Sequence, residues 1–126
     1  MEKNMETVAF ILVLIVALEH VYIMALEMFF STSENAQKTF GLKKEFLQQK
    51  NVKTLMANQG LYNGFLAAGL FWGLFFVPAE FALSVQLFFL GCVIVAAVYG
   101  SLTANKGILI KQGLPAILAF IFVLIS

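Results

Sequence analysis

The stretch Val8-Ala9-Phe10-Ile11-Leu12-Val13-Leu14-Ile15-Val16-Ala17-Leu18-Glu19-His20-Val21-Tyr22-Ile23-Met24-Ala25-Leu26-Glu27-Met28-Phe29-Phe30 decides the fold. A helix that crosses a bilayer needs about 20 mostly apolar residues at about 1.5 Å rise each. This run supplies them, interrupted only by Glu19, His20 and Glu27. It reads as a spanning helix from about Thr7 to Phe30 and not as a cleaved signal peptide. Glu2 and Glu6 offset Lys3, and the apolar run continues with no small-x-small cleavage site.

Outward from that helix, three more segments meet the same requirement: about Leu55 to Val77, Phe81 to Leu102, and Ile108 to Ile125. Pro78 ends the second and leaves Glu80 in a very short turn to the third. Asn105-Lys106-Gly107 marks a turn before the fourth. Pro115 falls inside the fourth helix, where neighbouring helices compensate a lost hydrogen bond. Composition supports the lipid reading. The 126 residues are 61% apolar and 12% charged, whereas soluble domains are about 45–50% apolar and about 25% charged. A soluble chain this short cannot hide so much apolar surface. The expectation is an all-α polytopic membrane protein, a single four-transmembrane-helix bundle over residues 1–126.

The one long polar region, Ser31 to Thr54, connects the first two helices. Ser31-Thr32-Ser33-Glu34 has capping-box spacing, Phe40-Gly41-Leu42 turns the chain, and Leu42 to Lys53 mixes Lys with Leu and Phe. A short, surface-lying helical connection is expected there. It holds Lys38, Lys43, Lys44, Lys50 and Lys53, and the turn before the fourth helix adds Lys106 and Lys111; the opposite side has only Lys3. Lysine bias sets orientation, which predicts a cell-membrane protein with both termini outside and both basic connections cytoplasmic. With no Arg and no stacking aromatics interleaved among the lysines, no nucleic-acid partner is expected. The single Cys92 lies in an apolar run and implies no disulfide framework.

Charged groups near mid-bilayer cost roughly 2.5–3.5 kcal/mol each, so a helix that keeps Glu19, His20 and Glu27 must turn them towards partners or water. His20 and Glu27 are seven apart and share a face; Glu19 sits about 100° round. The second helix offers Asn58, Gln59, Tyr62 and Asn63 at the depth of Glu27, with Gly69 and Gly73 continuing the stripe. That stripe is expected to point inward. Tyr99 and Thr103 of the third helix and Gln112 of the fourth lie at the same level. Together these ten side chains form a candidate ligand site in the cytoplasmic half. One His and two Glu lack the spacing of known metal sites, and nucleotide loops and nucleophile elbows are absent; no metal or cofactor is expected.

Four blocks carry a family resemblance. They are Ala17-Leu18-Glu19-His20-Val21-Tyr22-Ile23-Met24 with Leu26-Glu27-Met28-Phe29; Asn58-Gln59-Gly60-Leu61-Tyr62-Asn63-Gly64-Phe65-Leu66-Ala67; Val98-Tyr99-Gly100-Ser101-Leu102-Thr103; and Gln112-Gly113-Leu114-Pro115-Ala116. Over nearly the whole chain this resembles a bacterial membrane family, domain of unknown function 1304. The resemblance implies a small four-helix membrane protein, supplies no activity, and points to the same polar residues.

Three functions fit the residues. The first is binding or transport of a small polar or amphipathic molecule, with Glu27, Glu19 or His20 exchanging protons; histidine titrates near neutrality. The second is an intramembrane enzyme using Glu and His as acid and base on a lipid-soluble substrate, with Tyr62 and Asn63 orienting it. The third is a structural or accessory subunit whose polar cluster fixes helix register. The Gly60–Gly64 and Gly69–Gly73 spacings serve either a homo-oligomer or packing within the chain.

Overall fold

Helix α1 (Glu2–Phe29) is the apolar run quoted above, extended at its N-terminus. In the computed structural model, which describes residues 2–126 and side chains from Lys3 onward, helix accounts for 88% of the described residues. Five more α-helices follow among the described residues: α2 (Glu34–Phe40), α3 (Lys44–Leu47), α4 (Lys50–Phe71), α5 (Ala79–Thr103) and α6 (Leu114–Ile125). Single π-turns occupy Trp72–Phe76, after α4, and Leu109–Gly113, before α6.

Two of these helices, Lys3–Phe29 and Ala79–Thr103, are long and apolar enough to cross a membrane; Leu109–Ile125 is apolar but shorter. The segment expected as a second span begins earlier than the sequence suggested, at Lys50. Its first turns carry Lys50, Lys53, Asn58, Gln59 and Asn63, which dilute its apolar character.

The chain divides into two compact units. One comprises the chain up to Glu19 together with Leu66–Ser126; the other is His20–Phe65. In the first, Ala9, Val13, Val16 and Ala17 of α1 join Leu70 of α4, Leu90 and Val93 of α5, and Ala116, Ala119 and Val123 of α6 in a single core. Alanine and valine supply eight of these ten positions, and side chains that small let helices approach closely. Gly73 shows the approach: a Cβ there would sit 3.0 Å from Gln86 Cγ and 3.1 Å from Val85 Cγ1. At Gly69 a Cβ would enter the Phe89 ring.

Both π-turns lie next to prolines, with a physical reason. After Trp72, Val77 N–H donates to the Trp72 carbonyl at 2.9 Å, an i→i+5 bond. The next carbonyl in that pattern, on Gly73, would need an N–H from residue 78, and Pro78 has none. Gln86 Nε2 of α5 donates to it instead, at 3.0 Å. Before α6, Pro115 would crowd the carbonyl four residues back in a regular α-helix. The chain widens there, and Leu114 N–H donates to the Leu109 carbonyl. The compensation expected for Pro115 from a neighbouring helix thus begins within its own backbone.

In the second unit the polar connection is helical, as expected. Ser33 Oγ caps α2 by accepting from Ala36 N–H at 3.2 Å. The cap is therefore Ser33 and not Ser31, the residue the capping-box spacing selected; Ser31 is buried instead. Gly41 ends α2 in the left-handed region at φ 66°, a conformation that only glycine adopts without a steric penalty. Ala36 and Leu47 are fully buried and anchor α2 and the single turn α3. Beyond α5, Asn105 Oδ1 accepts from Gly107 N–H at 2.8 Å, which makes the expected turn.

Candidate functional site: a buried carboxylate beside a glycine seam

Buried positions of α1 recur at Ala9, Val13, Val16, His20, Ile23 and Glu27, alternating four and three residues apart. That is the spacing of a helix seam, and the two ionisable groups His20 and Glu27 occupy places in it. His20 is 1% exposed and Glu27 is 5% exposed. The shared face read from their sevenfold spacing is the buried face.

Within His20–Phe65, α4 approaches α1 through glycine. A Cβ on Gly60 would lie 2.6 Å from Met28 Cγ and 3.0 Å from both Glu27 Cβ and the Met24 carbonyl oxygen. One on Gly64 would lie 2.6 Å from Met24 Sδ. Gly60–Gly64 therefore serves packing inside the chain. The approach brings Asn63, three residues from Gly60 and on the same side of α4, over Glu27. Asn63 Nδ2 donates to Glu27 Oε1 at 2.5 Å. A carboxylate offers about four lone-pair positions, of which this bond uses one.

The other expected residues are placed differently. Asn58 and Gln59 are exposed, as is Tyr62, whose ring lies 6.1 Å from that of Phe65. The inward stripe expected from Asn58, Gln59, Tyr62 and Asn63 is thus narrower, and of the four only Asn63 meets Glu27. The physical reason is steric. The face of α4 turned to α1 is the smallest, Gly60, Asn63 and Gly64, about a third of a turn from the most polar one. That small-residue spacing was the signal in the sequence that identifies the face.

In the first unit, Glu19 is half-buried, and its Oε1 is buried without a hydrogen-bond partner. Tyr99 is exposed, and exposed Thr103 donates from Oγ1 to the Tyr99 carbonyl at 2.8 Å, a bond within its own helix. Gln112 is half-buried inside the second π-turn. One cavity in this unit, of about 730 Å³, is lined by Tyr99 with Phe88, Gly91, Cys92 and Val95 among others, and two more lie away from these groups. One of about 560 Å³ is lined by Trp72, Pro78, Phe81 and Phe88 among others. Another, of about 410 Å³, is lined by Glu6, Phe10, Leu83 and Gln86 among others. Among the described residues no three His, Cys, Asp or Glu side chains come together as a metal site.

Long apolar helices with an ionisable seam and a glycine-packed partner define an all-α protein with membrane-type helices. The family described as "Protein of unknown function (DUF1304)" matches residues 14–124, and the chain belongs to it. The uncharacterized protein YpaA of Lactococcus lactis subsp. lactis (strain IL1403) is 44% identical over 117 residues, which cover 93% of this chain and 97% of that protein. No solved structure matches the chain.

Proposed function

We propose that this protein spans the membrane four times and binds a small polar or amphipathic molecule at Glu27 and Asn63, with His20 on the same face of α1. Binding is coupled to proton exchange at the carboxylate. The observation that carries the reading is the Glu27–Asn63 bond: a buried carboxylate in an apolar helix, given one amide donor and left with acceptor capacity. Ionisable groups at membrane depth mark ligand and proton pathways more often than scaffolding.

The membrane reading draws on the surface. Large apolar side chains are exposed along every long helix, among them Ile11, Ile15 and Leu18 of α1, Leu61 and Phe65 of α4, Phe88 and Val95 of α5, and Leu118, Ile121 and Leu124 of α6. Contiguous exposed apolar surface of that extent calls for an apolar solvent. The segments Lys50–Phe76 and Leu109–Ile125 complete the four spans on this reading. The lysine bias then puts both termini outside and both basic connections in the cytoplasm. Cysteines introduced at Lys38 and Glu80 should be labelled by an impermeant maleimide from opposite faces of sealed vesicles; labelling from the same face would remove this topology.

The ligand is tested with protein extracted into nanodiscs of native lipid. Wild-type protein is expected to retain a small molecule that Glu27→Gln and Asn63→Leu lose, with retention in the wild type varying with pH and retention in Glu27→Gln absent throughout. The same complement of small molecules in all three proteins would remove Glu27 from the mechanism. A second reading, favoured by the tight packing of Gly60 against Glu27, is that the bond only fixes helix register. Ligand retention separates the two: a register lock predicts no retained ligand in any form, the wild type included.

A further inference from the structure

We infer that the connection from Ser31 to Thr54 is a docking surface for anionic phospholipid headgroups, with Phe46 as its apolar anchor. The segment carries five lysines against two glutamates, Glu34 and Glu45. Lys38, Lys43, Lys44, Lys50 and Lys53 are all exposed. Among the described residues none of them is held in an ion pair, so their charge is available to a partner.

Along the chain these charges lie on either side of an exposed ring. Leu47 is fully buried and pins the single turn α3. Successive helical residues point about 100° apart, so a buried Leu47 turns Phe46 outward, where it is 44% exposed. Lys43 and Lys44 precede that ring, and Lys50 and Lys53 share a face on the first turn of α4, three residues apart. An exposed aromatic ring among unpaired ammonium groups fits the membrane interface. The ring enters the boundary between headgroups and acyl chains, and the ammonium groups meet phosphates.

Charge selects the occupant. The segment's excess of three positive charges favours lipids with net negative headgroups over zwitterionic ones, because each lysine near an anionic surface strengthens binding roughly fivefold. An acidic protein would satisfy the charge but gives no role to the exposed Phe46 ring. The inference rests on the membrane reading above and is independent of the Glu27 site.

The test uses the full chain in neutral detergent, titrated with phosphatidylglycerol and phosphatidylcholine, with retained lipid counted by native mass spectrometry. Wild-type protein is expected to prefer phosphatidylglycerol by on the order of a hundredfold. The variant K43Q/K44Q/K50Q/K53Q should lose that preference, and K43R/K44R/K50R/K53R should keep it. Phe46→Ser should weaken retention of both lipids equally. Equal retention by the wild type, a preference that survives the glutamine variant, or displacement of the lipid by equimolar inorganic phosphate overturns the inference. Glu27→Gln should leave the preference intact, so failure of the ligand site is read separately. Release of the chain from membranes by alkaline carbonate would end the membrane reading and this inference with it.

Discussion

The two compact units use the same device for different ends. In each, a pair of glycines four residues apart, on α4 or the π-turn that follows it, lets another helix come close. Gly69 and Gly73 face Phe89, Val85 and Gln86 of α5, whereas Gly60 and Gly64 face Met24, Glu27 and Met28 of α1. The core beside the first pair is aliphatic and small. His20, Glu27 and Ser31, the buried polar residues among those described, all lie in the unit that holds the second pair. Close helix approach is thus a general way to hold this chain, and what the neighbouring helix presents decides whether the result is a core or a site.

The largest test of that contrast is in the aliphatic unit. Leu90 is fully buried, and Leu90→Ala should destabilise by about 3 kcal/mol through lost contacts and a residual cavity. Thermal denaturation in detergent measures it. A loss below about 1 kcal/mol would mean that this core is not where stability resides.

Gly60→Val should follow, at about 2–3 kcal/mol from overpacking. One of the obstructing atoms is the Met24 carbonyl oxygen, which backbone cannot move aside cheaply. The same variant should lengthen the Glu27–Asn63 contact, so ligand retention and melting temperature fall together. Stability lost with retention unchanged would separate the glycine seam from the site.

Asn63→Leu removes the donor to buried Glu27 and should cost about 1–3 kcal/mol. Adding Glu27→Leu should recover most of that, since replacing both partners by apolar groups is close to neutral. A double variant as unstable as the single one would show that Glu27 has other partners. At the small end, a Cβ on Gly91 meets nothing within 4 Å. Gly91→Ala should therefore stabilise α5 by up to about 1 kcal/mol through helix propensity, the opposite sign to Gly60. A marked loss would show that this face of α5 is occupied by something outside the chain.

What the sequence determined by itself was local. The apolar run of α1, the breaks at Gly41 and Pro78, the Asn105–Gly107 turn and the shared face of His20 and Glu27 all follow from interactions spanning a few residues, and residue types specify those directly. Family membership was legible too, from blocks containing the same polar groups. Tertiary structure alone decided which residue answers Glu27 and which face of α4 turns inward. Polarity selected Asn58, Gln59 and Tyr62 together with Asn63, but helices in contact rotate to bring their smallest faces together, and Gly60 and Gly64 outweigh the amides. It also decided that Gln86 satisfies the carbonyl Pro78 leaves bare. Partners 13 and 36 residues apart depend on helix rotation and depth, which steric fit sets only once the helices meet.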